Sequence, residues 1–284
     1  MNECFEADDF DPTAAKETLN RWLAGEVVRA QQAITDALEA YRFDDAAQAA
    51  YRFVRNSYCD WYLELAKPVL QGEAAEAQAE TRAAARWALG AACKLLHPFM
   101  PFITEELWQH MHPDAGQLML ADWPTYDTTH PDADAELDWL IALVSEIRSV
   151  RAELNVPPAA HVDVLAVSPD ETLQARLTSH EAALRFLARI ALCEEGAADA
   201  VEIVVGGATY RLLLGGIVDF AAEAARLDKE IAAGGKAIEK LARKLADEAF
   251  LAKAPPEVVA ENRARLADEE AQRDKLARAL ARLQ

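Results

Sequence analysis

The sequence predicts a mainly α-helical protein: an antiparallel helical bundle, a small α/β element, and a C-terminal antiparallel coiled-coil hairpin. Three observations predict it. Apolar residues recur at helical spacing through most of the first 154 positions. Short β-branched runs then flank Gly206-Gly207. From Leu227 onward the apolar residues alternate in steps of three and four, the seam of a coiled coil. The divisions fall at 1–126 for the bundle, 127–216 for a junction helix with the α/β element, and 217–284 for the hairpin arm.

Asp11-Pro12 predicts an N-cap with proline in the first helical turn. The stripe Leu19, Trp22, Leu23, Val27, Ala30, Ile34 and Tyr41 follows. A second helix starts near Asp44 and stops at Pro68, with Tyr58, Trp61 and Tyr62 mainly in the core. Asp60 and Glu64, one turn apart, read as local capping or pairing groups. A third, alanine-rich helix spans Glu73 to Leu96. His97-Pro98-Phe99-Met100-Pro101 then forms a rigid corner, and a helix restarts with acidic Glu105 and Glu106 in its first turn. His97 lacks a partner at catalytic or ligand spacing and reads as a corner residue. After a linker from Trp123-Pro124 to Pro131, a fifth helix runs to Asn155-Val156-Pro157-Pro158.

Val162 to Val167 reads as a strand and Ala182 to Leu192 as a helix. Val201 to Val205 and Thr209 to Leu214 read as a hairpin closed by Gly206-Gly207. In the arm, Leu227, Ile231, Ile238, Leu241 and Leu245 form one seam. Ala254-Pro255-Pro256 breaks the helix, and Val259, Leu266, Leu276, Leu280 and Leu283 return. Gly234-Gly235 inside the first arm helix, with Glu269 and Arg273 on the returning seam, predicts a bend or fraying, because each glycine costs about 1 kcal/mol relative to alanine.

Composition narrows the function. No apolar run of eighteen residues exists and the N-terminus lacks a secretion pattern, so no membrane partner and a cytoplasmic location are expected. Cys4, Cys59, Cys93 and Cys193 include no CxxC pair and read as free thiols, with no metal site. The net charge of −19 opposes bulk attraction to nucleic acid. The charge is unevenly spread, however: residues 221–284 hold 13 basic and 12 acidic side chains, so the preceding 220 carry −20. Any RNA contact therefore rests on local basic clusters. Arg243, Lys244, Lys253, Arg263 and Arg265 gather around the hairpin tip and its return; the alternative for them is a solvated flank with ion pairs such as Glu261 with Arg265. Trp22, beside Arg21, lies on the apolar stripe and by spacing reads as core.

Several segments resemble a known family. His97 to Trp108 is similar to the corner in the anticodon-binding domains of class I synthetases for valine, isoleucine and leucine. Asn56 to Pro68, with Cys59-Asp60-Trp61-Tyr62-Leu63-Glu64 at its centre, resembles the valyl-tRNA synthetase family, with Tyr58 where Phe is usual. Asn20-Arg21-Trp22-Leu23, Arg148 to Arg151, Pro157-Pro158, Arg243-Lys244-Leu245, Phe250 and Lys253-Ala254-Pro255 continue that match along nearly the whole chain.

The resemblance implies the C-terminal portion of such an enzyme: an anticodon-binding domain plus an arm that contacts the D- and T-loop corner of tRNA. It implies anticodon contacts from Arg21 and Trp22 and elbow contacts from the arm residues, Arg243 and Arg265 first. The implied partners are tRNA(Val) and the catalytic domain of the same enzyme, in cis or as a split subunit, in a monomer. The His-Ile-Gly-His and Lys-Met-Ser-Lys-Ser signatures and the editing domain are missing, so this chain alone is expected to be inactive. No cofactor is expected in it; ATP and Mg²⁺ are implied for the full-length enzyme. Met1 reads as an internal methionine of a longer protein that lacks an upstream bundle helix here. The rival reading is a stand-alone helical and coiled-coil adaptor without tRNA specificity.

Overall fold

The computed structural model describes residues 9–196, 199–247, 250, 252 and 254–283; Cys4 lies outside them. The chain divides into two compact units, Met1–Ala142 with Arg176–Leu187, and Leu143–Ala175 with Ala188–Gln284.

In the first unit, Asp11 does not open the first long helix. Its carboxylate accepts from Thr13 N at 2.9 Å and caps a separate 3₁₀ turn, Pro12–Ala14. Helix α1 (Thr18–Glu39) follows. The Glu80 carboxylate accepts from the backbone N–H groups of Lys16 at 3.1 Å and Glu17 at 3.0 Å, just ahead of it.

The second predicted helix proves to be three segments: α2 (Phe43–Arg52), a π-helical stretch (Phe53–Tyr62), and α3 (Leu63–Gln71). The buried aromatics Phe53, Tyr58 and Tyr62 are spaced five and four apart, too wide for one face of a 3.6-residue helix. Widening the winding aligns them, and Leu63 N–H accordingly bonds Tyr58 O, five residues back. Tyr58 and Tyr62 stack with centroids 5.8 Å apart. Pro68 does not stop the helix as expected. It sits near the end of α3, where it removes one hydrogen bond, and the helix ends at Gly72.

Helix α4 (Ala75–Leu96) turns at the proline corner into α5 (Pro101–Met111). The corner is held by Thr104, whose hydroxyl donates to Met100 O at 2.8 Å and lies 2.8 Å from His97 Nδ1. Pro101 takes the first helical position, which places Glu105 and Glu106 beyond the first turn, contrary to expectation. Glu105 instead accepts from Leu118 N at 3.0 Å. The bundle core contains Leu23, Val27, Ile34 and Tyr62, packed against the small side chains Ala84, Ala88 and Ala91 of α4.

Helix α6 (Pro131–Glu153) is followed by β1 (Val162–Ala166), α7 (Glu171–Ser179), α8 (Glu181–Ala188), β2 (Ile190–Leu192), β3 (Ala200–Val205) and β4 (Ala208–Leu213). The single helix expected over 182–192 is corrected here. α8 ends at Ala188, Arg189 takes a left-handed φ of 53°, and Ile190–Leu192 pairs in parallel with Val162–Val164. In the first unit, His180 at the α7–α8 junction bonds Glu136 at 2.6 Å, and Arg176 lies 5.8 Å over the Trp139 ring.

In the second unit the sheet order is β2-β1-β4-β3. Gly206 and Gly207, with φ of 59° and 81°, close the β3–β4 hairpin as the glycine pair predicted. Arg151 is 9% exposed and donates to Ala160 O at 2.9 Å, Pro157 O at 3.2 Å and Pro158 O at 3.4 Å, fixing the double-proline loop to the end of α6. The arm is α9 (Phe220–Ala246), capped by Asp219, packed antiparallel on α10 (Pro256–Ala281). α9 stays helical through Gly234-Gly235.

Candidate nucleic-acid interface

The arm is anchored at its base. Leu227 and Ala279 are fully buried there, and Arg282 pairs with Glu146 at 2.7 Å and lies 3.8 Å from Glu153. Arg226 bonds Glu223 and Glu230, both at 2.5 Å. Its guanidinium holds the Glu223 carboxyl below the usual range against the opposing effect of burial, with Asn155 adding a hydrogen bond. Midway along, a Cβ on Gly234 would meet Arg273 Cβ at 4.0 Å. A methyl group there would make ordinary contact with the facing helix, so packing does not require the glycine.

The predicted arm residues divide into three groups. Lys244 is braced across the hairpin: its Nζ lies 3.2 Å from Asn262 Oδ1 and 4.7 Å from the Phe250 ring centre. Arg243 is exposed and paired with Glu239 one turn back. Arg263 and Arg265 are exposed on α10 and have no ion-pair partner among the described residues; the expected Glu261–Arg265 pair is not formed. Lys253 lies outside the described residues.

Sequence reasoning missed a longer feature on α9. Lys229, Lys236, Lys240 and Arg243 are all exposed and are spaced by seven, four and three residues. At 3.6 residues per turn they fall within an arc of about 60° and extend roughly 21 Å along the axis. The apolar seam from Leu227 to Leu245 points about half a turn away. Lys229, Lys236 and Lys240 have no ion pair among the described residues. The spacing was readable in the sequence, but interleaved Asp228, Glu230 and Glu239 hide it from a charge count. This ladder supplies what phosphate contacts need: cations in line, on a rigid support, with their heads in solvent.

The bundle residues turn out otherwise. Trp22 is 2% exposed, and its indole N–H has no hydrogen-bond partner among the described residues. A ring packed on both faces has none left for a base, so the reading of Trp22 as a stacking platform is corrected to core. Arg21 makes a two-pronged ion pair with Asp132, at 2.9 Å for each contact, and its Nε lies 3.4 Å from His130 Nδ1. That pairing holds Asp132 below the usual carboxylate range.

Residues 20–166 match the family described as the anticodon-binding domain of tRNA ligase. The chain belongs to that family. Residues 219–284 match a second description, the valyl tRNA synthetase tRNA binding arm. Three valine–tRNA ligases show how the match is distributed. That of Caulobacter vibrioides is 49% identical over 292 residues, covering 100% of this chain and 32% of the relative. That of Rhodopseudomonas palustris is 43% identical over 320 residues, covering 100% and 33%. That of Mesorhizobium japonicum is 45% identical over 290 residues, covering 100% and 31%. The chain spans about a third of the length of the curated relatives it matches. No helix among the described residues is long and apolar enough to cross a membrane.

Proposed function

We propose that this chain is the tRNA-holding portion of a valine–tRNA ligase, with the arm gripping the backbone of tRNA(Val) and the bundle meeting its anticodon loop. The observation that carries the reading is the cation ladder on the outer face of α9. Lysines in line without carboxylate partners, on the face opposite the seam, match the regular spacing of charge along a phosphate backbone. In this proposal the chain works as a monomer in the cytoplasm and orients the acceptor end toward catalytic machinery carried elsewhere in the longer protein. ATP and Mg²⁺ are assigned to that machinery. Among the described residues no group of three or more His, Cys, Asp or Glu side chains is placed to hold a metal ion, and no step is routed through one here.

Titration of the chain with tRNA(Val) at several salt concentrations, followed by fluorescence anisotropy, tests the reading. Binding is expected to weaken steeply with salt. Replacing Lys229, Lys236 and Lys240 together by Gln should flatten the logarithmic salt slope by about 2–3, close to one for each cation removed from a phosphate. Folded protein without affinity for tRNA at low ionic strength overturns the proposal.

A further inference from the structure

The α1–α2 turn is built in an unusual way. Arg42 N bonds Ala37 O at 2.8 Å and Tyr41 N bonds Leu38 O at 3.0 Å, the paired closure that ends many helices. The residue after the cap in that closure is left-handed and normally glycine. Here it is Tyr41, with φ of 56°. Its ring is not used for packing: Tyr41 is 81% exposed. It meets the edge of another exposed ring, Phe43 at 58%, with centroids 6.3 Å apart and planes at 84°. A large, outward-facing aromatic thus occupies a left-handed position where glycine is usual.

Arg42, between the two aromatics in sequence, is exposed and paired with Asp45 at 3.1 Å. Arg42 also lines a groove of about 430 Å³, with Ala33, Ala37, Arg52 and the carboxylates of Glu26 and Asp45 among its other lining residues. Arg52 is hydrogen-bonded to Gln48 rather than to a carboxylate. Two rings with free faces beside arginines that border a groove form the combination that takes unpaired bases and their phosphates.

We infer that the Tyr41-Arg42-Phe43 turn is a stacking platform for unpaired bases of an RNA loop. The inference rests on the tRNA-binding reading above and supplies the exposed aromatics that buried Trp22 does not. Its test uses the full 284-residue chain and two RNA probes: the anticodon stem-loop of a valine tRNA and the same stem closed as a blunt duplex. Tyr41→Gly should raise Tm by about 2 °C, because glycine suits the left-handed position. The same substitution should weaken stem-loop binding about tenfold and leave duplex binding unchanged. Tyr41→Phe should keep wild-type affinity, and Phe43→Ala should lose it. Unchanged stem-loop affinity in Tyr41→Gly overturns the platform while leaving the tRNA reading intact. An equal loss on the duplex also overturns it. A wild-type chain that binds neither probe, nor whole tRNA, removes both.

Discussion

The Tyr62 hydroxyl donates to the Asn20 side-chain carbonyl at 2.9 Å, and both residues are fully buried. Asn20 Nδ2 in turn donates to Glu80 Oε1 at 3.0 Å and Thr81 Oγ1 at 3.2 Å, so one polar chain joins α1, the π-helical stretch and α4. Asn20→Leu removes an acceptor from the Tyr62 hydroxyl, which keeps the Thr81 carbonyl at 3.1 Å, and the donor from Thr81 Oγ1. The expected loss is about 2–4 kcal/mol in urea denaturation. A loss under about 0.5 kcal/mol shows that the network is incidental.

Arg151 has its guanidinium among backbone carbonyls, those of Pro157, Pro158, Ala160 and Arg189. Arg151→Met keeps the aliphatic stem but strips donors from Pro157, Pro158 and Ala160. A destabilisation of about 2 kcal/mol is expected, together with faster amide exchange at Ala160 and Val162. Exchange rates matching the wild type contradict a clamp.

The arm carries a removable weakness. A side chain at Gly234 reaches only ordinary contact with Arg273, and one at Gly235 meets nothing within 4 Å. Gly234→Ala and Gly235→Ala should each stabilise α9 by about 1 kcal/mol, seen as slower amide exchange across residues 230–240. If tRNA affinity drops as stability rises, the arm needs its flexibility to seat on RNA.

Acid should weaken the arm's base. Arg226 depresses the folded-state pKa of Glu223 relative to the unfolded chain. The stability this gives is fully present above the ordinary glutamate pKa of 4.5 and is lost as pH falls through the depressed value. Glu223→Gln should therefore lower Tm at pH 7, with the gap to wild type closing in acid. A gap that is constant from about pH 7 to about pH 3 assigns the loss to something other than this charge.

Much of the molecule was legible from local pattern. The apolar spacing of α1 and α4, the two prolines of the corner and the Gly206-Gly207 hairpin each act through nearby backbone, and each appears where expected; Pro255-Pro256 opens the returning arm helix, but α9 already ends at Ala246, ahead of the expected break. The failures share a different character. Phe53, Tyr58 and Tyr62 carry a five-and-four spacing that a search for 3.6-residue periodicity passes over. Ile190–Leu192 became a strand because β1 offers it an edge, which no window around residue 190 contains. For the arm, counting charges found the tip cluster, but only the helical angle reveals Lys229, Lys236 and Lys240 as one line.

By itself the sequence determined most of the helical segments, where the proline corner and the glycine hairpin fall, and which family they resemble, because dihedral preferences and apolar periodicity are properties of the local chain. Tertiary structure alone decided that Trp22 faces inward while Tyr41 faces water, that Arg21 is occupied by Asp132, and that residues 176–187 pack with the first unit. The physical reason is that exposure and charge pairing depend on which distant surfaces close over a side chain. Two aromatics read from one apolar stripe, one near the start of α1 and the other just past its end, therefore meet opposite fates.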